Sequence, residues 1–290
     1  MDAAKILITL LLIETLIFTF FYLKDVFSHK EDFKNIKWVP SILIGMICNF
    51  FDTLGIGSYA TSTTAFKFTK SCRDDLIPGT LNVAYAWPVV VQAVVFMGKV
   101  EVDNITLITM IAAAVVGSVI GAKLVSKWNI NTIRRALGTA MIALAIVMFC
   151  KNSGFGPFGI MGTATGLTGI KLVIGIVGNF FLGAFMIVGL GLYNPCMALV
   201  FALGLSTNVV FPIMMGSCAF LMPAAGITFV KEGKYDRGNG IVLTLSGIIG
   251  SLIACFIITS LPLKMLTYIV CVVMLFGAVQ FFSDAKKASK

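Results

Sequence analysis

Apolar residues and charges are segregated into long blocks along this chain. Residues 80–98, 104–122, 172–230, 238–263 and 265–283 contain no Asp, Glu, Lys, Arg or His. A helix rising 1.5 Å per residue crosses the hydrocarbon of a bilayer in about 20 residues, and an uncharged run of about 18 already reads as one. The blocks predict crossings at about 80–97, 104–123, 132–150, 207–230, 239–262 and 265–283. Residues 4–23 form another apolar stretch, interrupted by Glu14 and lacking a small-x-small cleavage site before Lys24. Signal-peptide apolar regions run roughly 7–15 residues, so this stretch is read as a retained first helix.

Shorter apolar segments occur in two pairs, 38–54 with 58–69 and 172–188 with 192–204. Glycines separate the members of each pair, and the pairs belong to an internal repeat. Gly55-Ile56-Gly57-Ser58-Tyr59 corresponds to Gly189-Leu190-Gly191-Leu192-Tyr193, and Pro78 to Pro212 at the same spacing. Gly98-Lys99-Val100-Glu101 corresponds to Gly233-Lys234-Tyr235-Asp236, and Gly117-Ser118 to Gly250-Ser251. Asn49-Phe50-Phe51 pairs with Asn179-Phe180-Phe181 if the second copy carries an insertion. The chain therefore divides into an extra N-terminal helix and connection (1–37), a first unit (38–150), a Gly-rich linker (151–170), a second unit (171–283) and a basic tail (284–290). Glycine-interrupted apolar segments at matching places in two halves point to broken helices in a transporter, against the blander reading of one kinked helix.

Charge arbitrates between the two. If each short pair folds as a hairpin returning to its own side, one face collects every Lys and Arg except Lys5, Lys99, Lys151, Lys171 and Lys264. A single continuous crossing per pair spreads the cations far more evenly. Positive charge is retained in the cytoplasm, so the hairpin arrangement is favoured, with the N-terminus outside and the C-terminus inside the cell membrane. Three further crossings per unit is an odd number, so the two units point in opposite directions. The expected fold is an all-α polytopic membrane protein, an inverted-topology repeat with a broken-helix hairpin opening each repeat.

Composition agrees with this picture. Apolar residues make up 58% of the chain and charged residues 12%, against about 25% charged in a soluble domain. The net charge of +9 is the cytoplasmic Lys/Arg excess; no arginine-rich stripe with interleaved aromatics argues for nucleic acid. Seven cysteines lie mostly inside apolar segments without C-x-x-C spacing, and read as small core hydrophobes. His29 is the single histidine, so metal, haem and His-dependent triad sites lack raw material, and no cofactor is expected. With no nucleophile elbow, phosphate-binding glycine loop or acidic metal pair, an enzyme is not expected either.

The candidate chemistry lies at the breaks. A helix beginning inside the membrane carries free N–H groups and about half a positive charge, which suits an anion. The first break offers Gly57, Ser58, Tyr59 and Thr61; the second offers Gly191, Tyr193 and Asn194 ahead of Pro195. The helices that follow begin with Gly79, Thr80 and Asn82, and with Gly216 and Ser217 after Pro212. In an inverted fold these four ends should converge near the midplane on a small anionic substrate. The bland alternative is that the hydroxyls cap helices and the glycines permit close packing. Asp52, three residues before the first break, is the candidate carrier of a coupling proton or, alternatively, a hydrogen-bonding residue at the hairpin tip, and the second unit places apolar residues there. Glu14 lies outside both units and reads as a packing or snorkelling residue.

These motifs resemble the sulfite exporter TauE/SafE family of prokaryotic membrane transporters. The resemblance rests on Gly55-Ile56-Gly57-Ser58 with Ile77-Pro78-Gly79-Thr80-Leu81-Asn82, and on Gly189-Leu190-Gly191, Pro212, Gly216-Ser217 and the Gly233-Lys234 turn, over about residues 38–283. It implies export or exchange of sulfite, sulfonates or related organic anions. The chain departs from the pattern at Gly191-Leu192-Tyr193-Asn194, where a fully Gly-rich run is expected. An anion channel lined by the same half-helix ends is the rival reading.

Overall fold

The computed structural model describes residues 3–33, 36–121, 128–154, 162–187 and 192–287. Among them the chain is helical, with one isolated bridge between Ala164 and Leu205. The helices are α1 (Ala3–Ser28), α2 (Trp38–Thr53), α3 (Ser58–Thr69), α4 (Ile77–Lys99) and α5 (Asn104–Val116, continued by a π turn at Gly117–Gly121). They continue with α6 (Ile130–Ser153), α7 (Gly169–Ile187), α8 (Tyr193–Ala202), α9 (Val210–Glu232), α10 (Arg237–Ser260) and α11 (Leu263–Lys287). Seven of these are long and apolar enough to cross a membrane. This is an all-α polytopic membrane protein.

Two ends of the bundle are fixed by hydrogen bonds. At the start of α1 the Ala3 amide meets Asn104 Oδ1 at 3.3 Å. At its other end Asp25 accepts from Arg237 Nε at 2.7 Å and from the Tyr235 hydroxyl at 2.6 Å, while Arg237 also reaches Asp32 at 2.9 Å. Burial and the Asp25 contact push the Tyr235 phenol above its ordinary range. The starts of α2, α4 and α10 gather at this Asp25 face. Ser41 donates to Asn239, whose amide donates to the Ser71 carbonyl at 2.8 Å, and the Asp236 amide donates to Thr80 Oγ1 at 2.9 Å. Asp236 also caps α10 by accepting from the Asn239 amide. The opposite, Asn104 face holds the Asp103 cap of α5, the Leu167 amide on Thr106 Oγ1 and Lys99 Nζ on Thr259 Oγ1.

Both short pairs return to the face they start from. Lys37, preceding α2, donates from Nζ to the Thr69 carbonyl at the end of α3, 3.0 Å away. At 16 and 12 residues, α2 and α3 are about 24 and 18 Å long, short of a crossing. The second pair opens on the Asn104 face, where the Ser206 amide beyond α8 donates to the Ala164 carbonyl ahead of α7 at 2.9 Å. In this pair α7 is itself long enough to span, and the 10-residue α8 comes part of the way back.

The core is built by α4 and α9, two-thirds of whose apolar windows are buried, against 22% for α6. Each carries an internal proline, Pro88 and Pro223. Large apolar side chains such as Leu16, Phe20, Phe256 and Val279 are exposed around the outside, as lipid requires. Packing exchanges partners between the halves: α2 lies on α10, α7 on α5, α4 on α9 and α6 on α11. The first two crossings are backbone-close. A Cβ at Gly250 would stand 2.1 Å from the Met46 carbonyl oxygen, and one at Gly117 1.9 Å from that of Phe180. Nothing larger than glycine fits such a crossing.

Candidate functional site

At the first break α2 ends at Thr53, and the chain turns through Gly55 and Gly57, both at positive φ (97° and 86°). The Asp52 carboxylate then folds over the start of α3, where Oδ1 accepts from the Ser58 amide at 2.7 Å. It is therefore the cap of that helix, reaching forward six residues across the turn. The Ser58 and Tyr193 hydroxyls also donate to it, and Gln92 Nε2 reaches Oδ2 at 3.3 Å. Gln92 Nε2 continues to Ser251 Oγ at 2.8 Å. Every contact of this carboxylate is thus with a donor. Asp52 is 3% exposed, and Gln92 and Ser251 are fully buried in mid-helix of α4 and α10. Beside them the Ser62 hydroxyl bonds Tyr85, whose ring meets Tyr59 edge-on at 6.3 Å.

The second break reaches the same place from the opposite face. Tyr193, the first residue of α8, supplies one donor to Asp52 and has the Cys218 thiol beside it. A Cβ at Gly55 would stand 2.1 Å from Met197 Cε, so α8 packs directly on the first turn. Among the described residues no side chain caps α8. Its start is flanked instead by Asn194, whose Oδ1 is buried with no partner among those residues, as is Gln92 Oε1. The tips of the two hairpins meet around one acid.

A match to the protein-family model for sulfite exporter TauE/SafE covers residues 1–148. That is half of the chain. The chain belongs to the sulfite exporter TauE/SafE family. No curated protein and no solved structure matches it.

In this TauE/SafE protein the expected site residues separate into three groups. Ser58, Tyr59, Tyr193 and Asp52 come together at the tips. Gly57 supplies the turn ahead of Ser58, and a Cβ there would meet nothing within 4 Å. Thr61 belongs to the same helix, but its hydroxyl is spent on the Gly57 and Ser58 carbonyls. Asn194 lies against Gly277 of α11, one residue from Tyr193. Gly191 lies outside the described residues.

Gly79, Thr80 and Asn82 do not join the tips, and the expected convergence of four helix starts is corrected to two. At 23 residues α4 spans about 35 Å, so its start is a membrane face. A Cβ at Gly79 would stand 1.9 Å from the Lys234 carbonyl, Thr80 bonds the Asp236 amide, and Asn82 reaches back to Pro78. These residues close the Asp25 face. On α9, Gly216 packs against Ile111 and Ser217 accepts from Asn179 at 3.1 Å, about two turns inside the helix and not at its start.

The sequence reading missed Gln92, Ser251, Tyr85 and Ser62. Gln92 carried a signal, as the one amide between Asn82 and the charged turn at Lys99. The serines and the tyrosine carried none, because their partners are distant in sequence. A cavity of about 390 Å³ opens beyond Gln92 at the Asn104 face, lined by Phe96, Lys99, Asn208, Phe211 and Thr259 among others. Phe96 and Phe211 stack at 4.8 Å between centroids and are each 1% exposed; Gln92 lies one turn along α4 from Phe96.

Proposed function

We propose that this protein is a secondary transporter that exports or exchanges sulfite or a related organosulfur anion across the cell membrane by alternating access. One observation carries the reading. Among the described residues no side chain caps the start of α8, which lies where the two hairpin tips meet, with hydroxyl and amide groups around it. In a low-dielectric interior such an end holds an anion without a buried Lys or Arg. The substrate is placed against Tyr193 and Asn194, with Ser58 and Tyr59 on the facing tip.

Two features support the inverted repeat that such a transporter uses. The hairpins open on opposite faces, and the glycine crossings are reciprocal, Gly117 on Phe180 in one direction and Gly250 on Met46 in the other. The two hairpins could then exchange their environments as one face closes and the other opens. The cavity floored by Phe96 and Phe211 is the route from the Asn104 face, which we assign to the outside by the scarcity of Lys and Arg there. The Asp25 face is cytoplasmic. Asp52 is the proton carrier: its donors come from both tips, so movement of one tip against the other changes its hold on a proton.

The test is uptake into proteoliposomes across a panel of sulfite, thiosulfate, sulfonates and dicarboxylates. Saturable flux of a sulfur anion, stimulated by a pH gradient, is expected. Flux that rises without saturation would make the protein a channel, and flux confined to dicarboxylates would overturn the substrate class.

A further inference from the structure

An acceptor placed beside a bound anion repels it unless a proton lies between them. The tips hold two acceptors where an anion is proposed to sit: the Asp52 carboxylate and Gln92 Oε1. The second is buried and has no hydrogen-bond partner among the described residues. The orientation of the Gln92 amide is fixed by its neighbours. Its nitrogen donates to Asp52 Oδ2 at 3.3 Å and to Ser251 Oγ at 2.8 Å, and exchanging the two ends would set a carbonyl against the carboxylate. The free oxygen is therefore the one left over inside the cluster. Asp52, for its part, takes only donors. This arrangement sets the start of α8 against one bare oxygen, Gln92 Oε1, beside Asp52. It is complementary to a ligand that has both acceptors and a donor.

We propose that the anion taken at the hairpin tips carries a hydrogen-bond donor of its own, as hydrogen sulfite or a hydroxy- or amino-substituted sulfonate does, and that Asp52 and Gln92 reject anions with acceptors alone, sulfate above all. This rests on the transport reading given above and names the substrate class of that same site. The donor of the ligand reaches the Asp52–Gln92 oxygens while its sulfonyl oxygens take the amides at the start of α8. An anion without a donor leaves Gln92 Oε1 unpaired and adds like charge next to Asp52.

A matched pair of probes isolates the donor from the charge. Isethionate and ethanesulfonate are both monoanions and differ by one hydroxyl. In proteoliposomes, initial uptake of isethionate at low concentration is expected to exceed that of ethanesulfonate by about fivefold to a hundredfold, the effect of one unpaired buried acceptor. Sulfite is expected to exceed sulfate by at least as much. Asp52→Asn, which turns an acceptor edge into a donor, should bring sulfate and sulfite towards parity, and Gln92→Met should shrink the isethionate preference. Equal flux of isethionate and ethanesulfonate in the unaltered protein, alongside saturable sulfite flux, overturns the donor requirement and leaves transport standing. No saturable flux of any of the four probes overturns both. The unaltered protein decides the question even where a variant does not fold.

Discussion

At the first tip the amide that opens α3 is taken by Asp52, six residues back; at the second, α8 begins at Tyr193 with no side-chain cap among the described residues. Both tips are glycine-marked and both end inside the bundle, yet one helix end is already filled by a carboxylate of the chain and the other is left open. The first tip carries its own anion, bound covalently at a fixed distance. The second is the end proposed to receive a free anion. The lesson is that equivalent breaks in two halves need not be equivalent sites. The acid turns one of them into a partner for whatever occupies the other.

The largest effect is expected from making the second tip resemble the first. Asn194→Asp places a carboxylate at the open end of α8, where it takes the substrate's donors and repels it. Saturable anion uptake should fall by about a hundredfold or more, corresponding to a few kcal/mol, with the protein still inserted. Unchanged uptake would remove the substrate from this tip. Ser58→Asp sets a second acid beside Asp52 at the tip that is already occupied. It too should abolish uptake, and near-normal flux would show that the two tips do not share one site.

Removing the acid gives a more selective loss. Asp52→Asn keeps the size and removes the titrating charge, so ΔpH-driven flux should disappear while counterflow is retained. Counterflow and ΔpH-driven flux measured side by side decide this; full ΔpH-driven flux in the Asn variant reduces Asp52 to a cap of α3.

Stability changes are smaller and separate the turns from the crossings. Gly117→Ala and Gly250→Ala drive a methyl into a carbonyl 1.9 and 2.1 Å away and should each cost about 1–3 kcal/mol. Gly57→Ala meets no neighbour and bears only the strain of its φ of 86°, about 1–2 kcal/mol. Thermal melting in detergent ranks the three, and a Gly57 variant less stable than the Gly117 one would contradict the packing argument. The mildest perturbation tests orientation. Arg73→Cys should react with an impermeant thiol reagent from the cytoplasmic side alone. The neighbouring Cys72, whose thiol burial pushes up to about 11, reacts about a hundredfold more slowly at neutral pH. Labelling of position 73 in intact cells would reverse the topology.

The helices were legible because charge is excluded from them so completely, and the hairpins because glycine spacing and the placement of lysines agree. Asp52 was legible as a buried acid but not as a cap, since its partner amide lies across a turn whose geometry depends on two positive-φ glycines. Gly79 and Thr80 were misplaced for a physical reason. A Pro-Gly helix start looks the same at a membrane face as at the midplane, and the uncharged run 80–98 is the clue that α4 crosses completely. Ser251, Tyr85 and Ser62 could not be read, because a hydroxyl in an apolar helix means nothing until its distant partner is known.

The glycine crossings also set a timetable for biosynthesis. Met46 is inserted long before Gly250, about two hundred residues earlier in the chain. At about 5–20 residues per second that interval is about 10–40 s. During it the first hairpin is in the membrane with the face meant for α10 uncovered and Asp52 without Gln92's neighbour Ser251. The second hairpin has no such wait, since α5 is already made when α7 emerges. The nascent chain therefore passes through a stage in which its one buried acid is only partly surrounded. Quality control that senses polar groups in lipid would act on this protein at that stage.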